Sequence, residues 1–151
     1  MVELDHVFAA AAGSALEGCY FIGLRHRLDT GFEPGRGECF VCRLAAGRMR
    51  VLLGGTAWLT GLHVDSTGAL FVSVSRNGVH VARDGERFQA FDLPGTTVGV
   101  GGWGANVFAW GLAPDGRPRM ARWTGAGFDA VTSPGFVSRL DGVGELGFAV
   151  G

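Results

Sequence analysis

Short runs with a hydrophobic period of two residues recur along most of the chain. One such run, Leu70–Val74, precedes an Asn77–Gly78 pair, and others flank the pairs Asp84–Gly85 and Asp115–Gly116. This period is typical of β-strands, and Asn-Gly or Asp-Gly pairs between such runs indicate tight hairpin turns. The pattern therefore predicts short antiparallel strands rather than helices.

The strand pattern repeats about every forty residues. Three phenylalanines take equivalent positions at spacings of 37 and 40 residues: Phe71, Phe108 and Phe148. A second anchor, Gly85–Phe88, recurs as Gly125–Phe128, and Pro94–Gly95 recurs as Pro134–Gly135. Three or four short strands in each such repeat are typical of a β-propeller blade. We therefore expect one all-β domain over residues 1–151, with blades at 7–54, 58–95, 97–135 and, in part, 137–151.

The first repeat is the least regular. Tyr20 fits the phenylalanine anchor only if Asp29–Glu38, which is rich in Gly and Pro, is an inserted loop. Residues 7–16 include four consecutive alanines and are the one stretch with helical character. The repeat makes the same residues the entry strand of the first blade, so helix and strand both stay open there.

The segment that starts at Leu62 resembles bacterial β-propeller repeats of the two-component-regulator, NHL and Asp-box kinds. Asp65, Gly68 and the Asp84–Gly85 hairpin carry the resemblance, and Val107–Gly111 is similar to another blade motif of this group. No Trp follows Asp65 and Gly68, so the full Asp-box pattern is not met. The resemblance covers residues 58–151 well and 1–57 loosely. It implies an architecture rather than an activity, because propellers host many unrelated functions.

Closed propellers have about four to eight blades, whereas this chain supplies about three and part of a fourth. Residues 1–16 would complete the fourth blade, a second copy of the chain would complete a larger ring, or the chain is part of a longer propeller. We expect a ring that is incomplete or that depends on assembly.

Composition excludes several classes of protein. All 13 basic residues are arginine against 14 acidic residues, and the absence of lysine excludes phosphate loops of the Walker type and Schiff-base enzymes. A net charge of −1 argues against nucleic-acid binding. No signal peptide or apolar membrane span is recognisable, which predicts a cytoplasmic protein with reduced cysteines and no membrane partner. The Ala-, Gly- and Arg-rich composition suggests a bacterial source.

Two motifs are weak candidates for cofactor chemistry. Gly99–Gly104 matches the G-x-G-x-x-G pattern of dinucleotide sites, but a strand rather than a helix is expected to follow it. Cys39 and Cys42 form a C-x-x-C pair, yet they lie in a predicted strand that sends them to opposite faces. Cys19, His6 and His26 would be the other ligands of a zinc site. Two small buried residues remain the simpler interpretation, so we expect no metal and no cofactor.

Loop residues are the best candidates for an interaction site. Arg76, Arg117 and Arg119 occupy similar places in successive repeats, and Trp103 lies in a glycine-rich loop. Exposed aromatic and arginine side chains commonly anchor protein partners. We therefore expect a non-catalytic binding or scaffold module, of an immunity or sensor type, that engages a protein partner through its blade loops.

Two alternatives stay open. The first is a small glycan-binding module in which Trp103 and Trp123 stack on sugars. The second is a fragment of a larger propeller enzyme, although no catalytic residue can be assigned. The carboxylates of Asp84, Asp115 and Asp141 are expected in turns, where they accept backbone hydrogen bonds instead of forming a catalytic pair.

Overall fold

The computed structural model describes residues 6–12, 18–25, 38–55, 58–76, 78–143 and 146–151. The chain forms two compact units, Met1–Leu59 and Thr60–Gly151. Within the described residues, no helix is long and apolar enough to span a membrane.

All regular elements in the described residues are β-strands, which confirms the all-β prediction. The strands pair into four antiparallel sheets. Their bounds are β1 His6–Ala12, β2 Cys19–Arg25, β3 Glu38–Ala45, β4 Arg48–Gly55, β5 Leu59–Val64, β6 Leu70–Val74, β7 Gly78–Ala82, β8 Gln89–Phe91, β9 Thr96–Trp103, β10 Asn106–Leu112, β11 Pro118–Trp123, β12 Phe128–Val131, β13 Arg139–Val143 and β14 Leu146–Val150.

The first unit contains one sheet, in the strand order β1-β2-β3-β4. Residues 7–12 lie in β1, so the strand alternative is correct there and the helical alternative is wrong. Residues 13–16 and residues 29–37 of the expected insertion lie outside the described residues. The β3–β4 turn places Ala46 and Gly47 at φ angles of 50° and 70°. Two successive positive φ angles are what a type I′ hairpin requires.

The second unit contains two four-stranded sheets and one two-stranded sheet. The four-stranded sheets share the same up-and-down order, β5-β6-β7-β8 and β9-β10-β11-β12, and β13 pairs with β14. The repeat in the sequence corresponds to strand position. The second strand of each sheet carries the aligned aromatic residue: Tyr20 on β2, Phe71 on β6, Phe108 on β10 and Phe148 on β14.

Phe71 belongs to a core cluster that joins several strands of the second unit. Its side chain is fully buried among Ala69, which precedes β6, and residues of β7, β9 and β10: Val79, Val81, Val100, Val107 and Ala109. Trp123 of β11 meets the Phe71 ring edge-on at a centroid distance of 5.5 Å. The core therefore joins the second and third sheets and is not divided between them.

Glycines of β9 make room for Trp110 of β10. A Cβ atom at Gly99 would lie 2.5 Å from the Trp110 ring, and one at Gly101 would lie 3.2 Å from it. The G-x-G-x-x-G segment thus ends in a hairpin at Gly104 and is followed by β10, as expected from the sequence. Its glycines serve close packing within the sheet.

The carboxylates predicted to lie in turns are only partly where the sequence placed them. Asp84 accepts hydrogen bonds from the backbone N–H groups of Glu86 and Arg87, and Asp115 accepts one from Arg117. Asp141 instead lies within β13, so its assignment to a turn is wrong. Asp141 pairs with Phe148 of β14, so the Asp141–Gly142 pair lies within the paired strands β13 and β14 and not in a turn.

Replacing Phe71 by Ala is expected to lower the free energy of unfolding by about 3–5 kcal/mol, because a cavity replaces the centre of the core. The matched control is Phe136→Ala, since Phe136 is 71% exposed and outside any strand. Its effect should stay within about 0.5 kcal/mol. Urea denaturation followed by circular dichroism measures both changes. Equal effects of the two substitutions would contradict this description of the core.

Candidate functional site

Three of the four interaction residues expected from the sequence share one end of the second and third sheets. Arg76 is exposed in the β6–β7 turn, Arg117 is exposed in the β10–β11 turn, and Arg119 is near the start of β11. The N–H of Thr97 donates to the carbonyl of Ser75 over 2.9 Å, which ties the β6–β7 turn to the start of β9. We call Arg76, Arg117 and Arg119 the arginine rim.

Trp103 is not part of this rim. It is the last residue of β9 and pairs with Asn106, at the opposite end of the third sheet from the β10–β11 turn. Its ring stacks on Phe108 at 5.5 Å, and a Cβ atom at Gly147 of β14 would collide with it. Trp103 therefore packs against neighbouring strands, and the structure does not bring it together with the three arginines.

Arg119 is the most constrained cation of the rim. Its side chain is half-buried, and one terminal nitrogen donates to Thr97 Oγ1 over 2.9 Å. Its Nε is buried without a hydrogen-bond partner, and no carboxylate forms an ion pair with Arg119 in the described residues. Burial lowers the pKa of Arg119, yet a guanidinium starts so far above neutrality that it remains charged.

The acceptor of this bond is itself held rigidly. Thr97 is fully buried, and its carbonyl accepts a hydrogen bond from Thr60 Oγ1 over 3.3 Å. Thr60 Oγ1 also lies 2.9 Å from Ser73 Oγ, so β5, β6 and β9 share one polar network. Because rigid strands fix Thr97, they also fix the direction of the Arg119 guanidinium.

The other rim arginines are placed more loosely. The Arg117 side chain is 85% exposed, and its Nε lies 3.5 Å from a carboxylate oxygen of Asp115. Exposed ion pairs of this kind contribute about 0–1 kcal/mol. Arg117 can therefore exchange Asp115 for another anion at little cost in free energy, whereas no carboxylate among the described residues pairs with Arg119.

The C-x-x-C pair occupies the interior of the first unit. Cys39 and Cys42 are 1% and 0% exposed, and burial raises the pKa of both thiols. Among the described residues, no group of three or more His, Cys, Asp or Glu side chains is arranged to hold a metal ion. His26 lies outside the described residues, and the side chain of His6 is not described.

The end opposite the rim carries a cleft that the sequence did not predict. The cleft measures about 790 Å³ and opens between the second and third sheets. Its polar and aromatic lining includes Asp65, Arg83, Arg122, Trp123, Thr124 and Asp129. Of the two tryptophans proposed for glycan stacking, Trp123 lines this cleft, whereas Trp103 is absent from the described lining.

One signal in the sequence pointed toward the cleft. Arg83 and Trp123 lie 40 residues apart, which is one repeat. In the structure the Arg83 guanidinium lies over the Trp123 ring at 5.4 Å from its centroid. Equivalent positions on adjacent sheets are thus neighbours at the same end.

No family model, curated protein or solved structure matches this chain. The function is therefore inferred from the geometry of the chain's own residues.

Replacing Arg119 by Met should change the free energy of unfolding by no more than about 1 kcal/mol, because removal of a half-buried, unpaired charge offsets the loss of the hydrogen bond to Thr97. Thr97→Val breaks the same hydrogen bond from the other side but keeps the charge. This substitution should lower the free energy of unfolding by about 1–3 kcal/mol. Urea denaturation of both variants tests the point, and a larger loss for Arg119→Met than for Thr97→Val would show that Arg119 is a structural cation.

The thiols of Cys39 and Cys42 should react with iodoacetamide at pH 8 at least about tenfold more slowly in the folded protein than in urea, because burial limits access and disfavours the thiolate. Peptide mass spectrometry measures each site separately. Equal rates with and without urea would reveal an accessible pair and reopen a metal or redox role.

Proposed function

We propose that the chain is a non-catalytic binding module of β-propeller type that engages a protein partner through the arginine rim. The four sheets would be its blades, three complete and one partial. Two four-stranded meanders in the same strand order, with an aligned aromatic on the second strand of every sheet, support this arrangement. Residues between strands then form the partner surface, as in other scaffolds that carry their sites on loops.

The half-buried guanidinium of Arg119, with its unpaired Nε, is the single observation that supports the proposal most directly. A half-buried guanidinium with an unsatisfied Nε is unfavourable in the free protein, because an unpaired buried donor costs about 1–3 kcal/mol. A carboxylate from a partner would bind the terminal nitrogen that is not used by Thr97 and would neutralise the charge of the guanidinium. Charge-assisted bonds between guanidinium and carboxylate are among the strongest hydrogen bonds in proteins. The partner side chain is therefore Asp or Glu, on a segment that reaches the start of β11.

Arg76 and Arg117 would have a different task at the same surface. Both are exposed, and the ion pair of Arg117 with Asp115 is weak, so they contribute long-range attraction more than affinity. This division predicts unequal effects of substitution within the rim.

A fluorescent hexaglutamate peptide, with hexaglutamine as its neutral match, tests the proposal by anisotropy. The wild type should prefer hexaglutamate, and Arg119→Ala should weaken binding about tenfold or more, because loss of a partly buried charge pair is costly. Arg76→Ala and Arg117→Ala should each weaken binding by up to about fivefold, as exposed pairs do. Arg87→Ala is the control, since Arg87 is 92% exposed and lies at the other end of the sheets.

Circular dichroism and urea midpoints establish that each variant is folded. The ¹⁵N–¹H signal of Arg119 Nε offers an independent measurement, because a carboxylate bound to the same guanidinium shifts that signal during titration. Equal binding of the glutamine peptide, or equal loss in Arg119→Ala and Arg87→Ala, would overturn the proposed function.

A further inference from the structure

The cleft at the end opposite the rim presents two fixed cations. Arg83 lies over the Trp123 ring, and one of its terminal nitrogens donates to the carbonyl of Gly125 over 2.9 Å. A terminal nitrogen of Arg122 donates to Asn106 Oδ1 over 2.8 Å. Each guanidinium is held by one strong neutral hydrogen bond and keeps other N–H groups available. Both side chains are exposed at the cleft.

Neither cation is neutralised within the described part of the chain. Asp129 faces Arg122 across the β11–β12 pair, yet the two form no ion pair there. Arg83 likewise has only neutral acceptors, Gly125 and a longer contact of 3.4 Å to Gln89. The cleft is therefore ready to receive an anionic group between two positioned arginines.

The same cleft also holds carboxylate oxygens that could accept hydrogen bonds from a ligand. Among the described residues, the Asp129 carboxylate accepts no hydrogen bond. Asp65 uses only Oδ1, which accepts from the backbone of Thr67 and Ala69 and from the Thr67 hydroxyl. Its Oδ2 has no donor within that part of the chain. An anion without hydroxyl groups, such as sulfate, would bring no donor to these two carboxylates and would face their negative charge.

The ligand that fits carries an anionic group and several hydroxyl donors on one frame. We propose that this cleft binds an acidic carbohydrate, an oligosaccharide that contains hexuronate. Its carboxylate lies between Arg83 and Arg122, and its hydroxyl groups donate to Asp129 and to Asp65 Oδ2. The apolar face of a sugar ring packs beside Trp123, which is half-buried at the cleft.

The size and shape of the cleft agree with this class of ligand. A volume of about 790 Å³ lies within the range of about 300–1,000 Å³ that is usual for small organic ligands. Trp123 is fixed by edge-on contacts with Phe71 and Phe91 at 5.5 and 5.1 Å, so the aromatic wall is already in position. The site lies apart from the rim, and the two proposals fail independently.

Isothermal titration with trigalacturonate, and with neutral galactotriose as its match, tests the proposal on the full chain. The wild type should bind the acidic sugar and not the neutral one. Arg122→Ala should weaken binding about tenfold, Arg122→Lys should weaken it less, and Asp129→Asn should weaken it a few-fold. Arg122 is preferred to Arg83 as the test, because Arg83 also packs on Trp123.

Arg139→Ala is the control, since Arg139 is 75% exposed on β13 and belongs neither to the rim nor to the cleft lining, and this variant should bind trigalacturonate as the wild type does. The indole Nε1–H signal of Trp123 should shift during titration while that of Trp110 does not, because the Trp110 indole nitrogen is buried away from the cleft. This readout places the ligand even if a variant folds poorly.

Three outcomes would overturn the proposal. Equal affinity for galactotriose would show that the carboxylate is not recognised. Binding of hexaglutamate that depends on Arg122 and matches that of trigalacturonate would assign the cleft to acidic peptides instead. Absence of heat and of any Trp123 shift with trigalacturonate would remove the carbohydrate site altogether, and would leave the rim and its peptide assay untouched.

Discussion

The burial of Phe71 between the second and third sheets is the contact on which the second unit depends. It brings β6 against β9, and that contact lets Thr97 reach Ser75 and Thr60. Arg119 can then reach Thr97 at one end of the sheets. At the other end the same packing sets Arg83 over Trp123. The rim and the cleft are thus two results of a single apolar interaction.

Strand positions and the repeat could be predicted because they depend on local chemistry. A period of two residues and the pairs around Asp84 and Asp115 act over a few neighbours, and the structure places strands and turns there. The same rule fails at Asp141, where an Asp-Gly pair lies within a ladder. Whether such a pair forms a turn depends on the partner strand, which the local sequence does not contain.

The gathering of side chains into sites was harder to predict, because it depends on packing between sheets. The sequence offered both Trp103 and Arg119 as loop residues. In the structure Trp103 lies beside the β9–β10 turn and Arg119 beside the β10–β11 turn, so the length of β10 separates them. Arg83 lies in the turn after β7 and Arg122 on β11, and their approach depends on how the second and third sheets pack. The sequence did contain the spacing of the repeat, which places Arg83 and Trp123 at equivalent positions 40 residues apart.

Strand β11 carries Arg119 near its start and both Arg122 and Trp123 at its end. Three residues of extended chain cover about 10 Å, and alternate residues project to opposite faces. An acidic segment at Arg119 and an acidic sugar at Arg122 would therefore bind at opposite ends of the same strand. The strand would then act as a rigid spacer of fixed length, and the protein as an adaptor that joins two partners in one ternary complex.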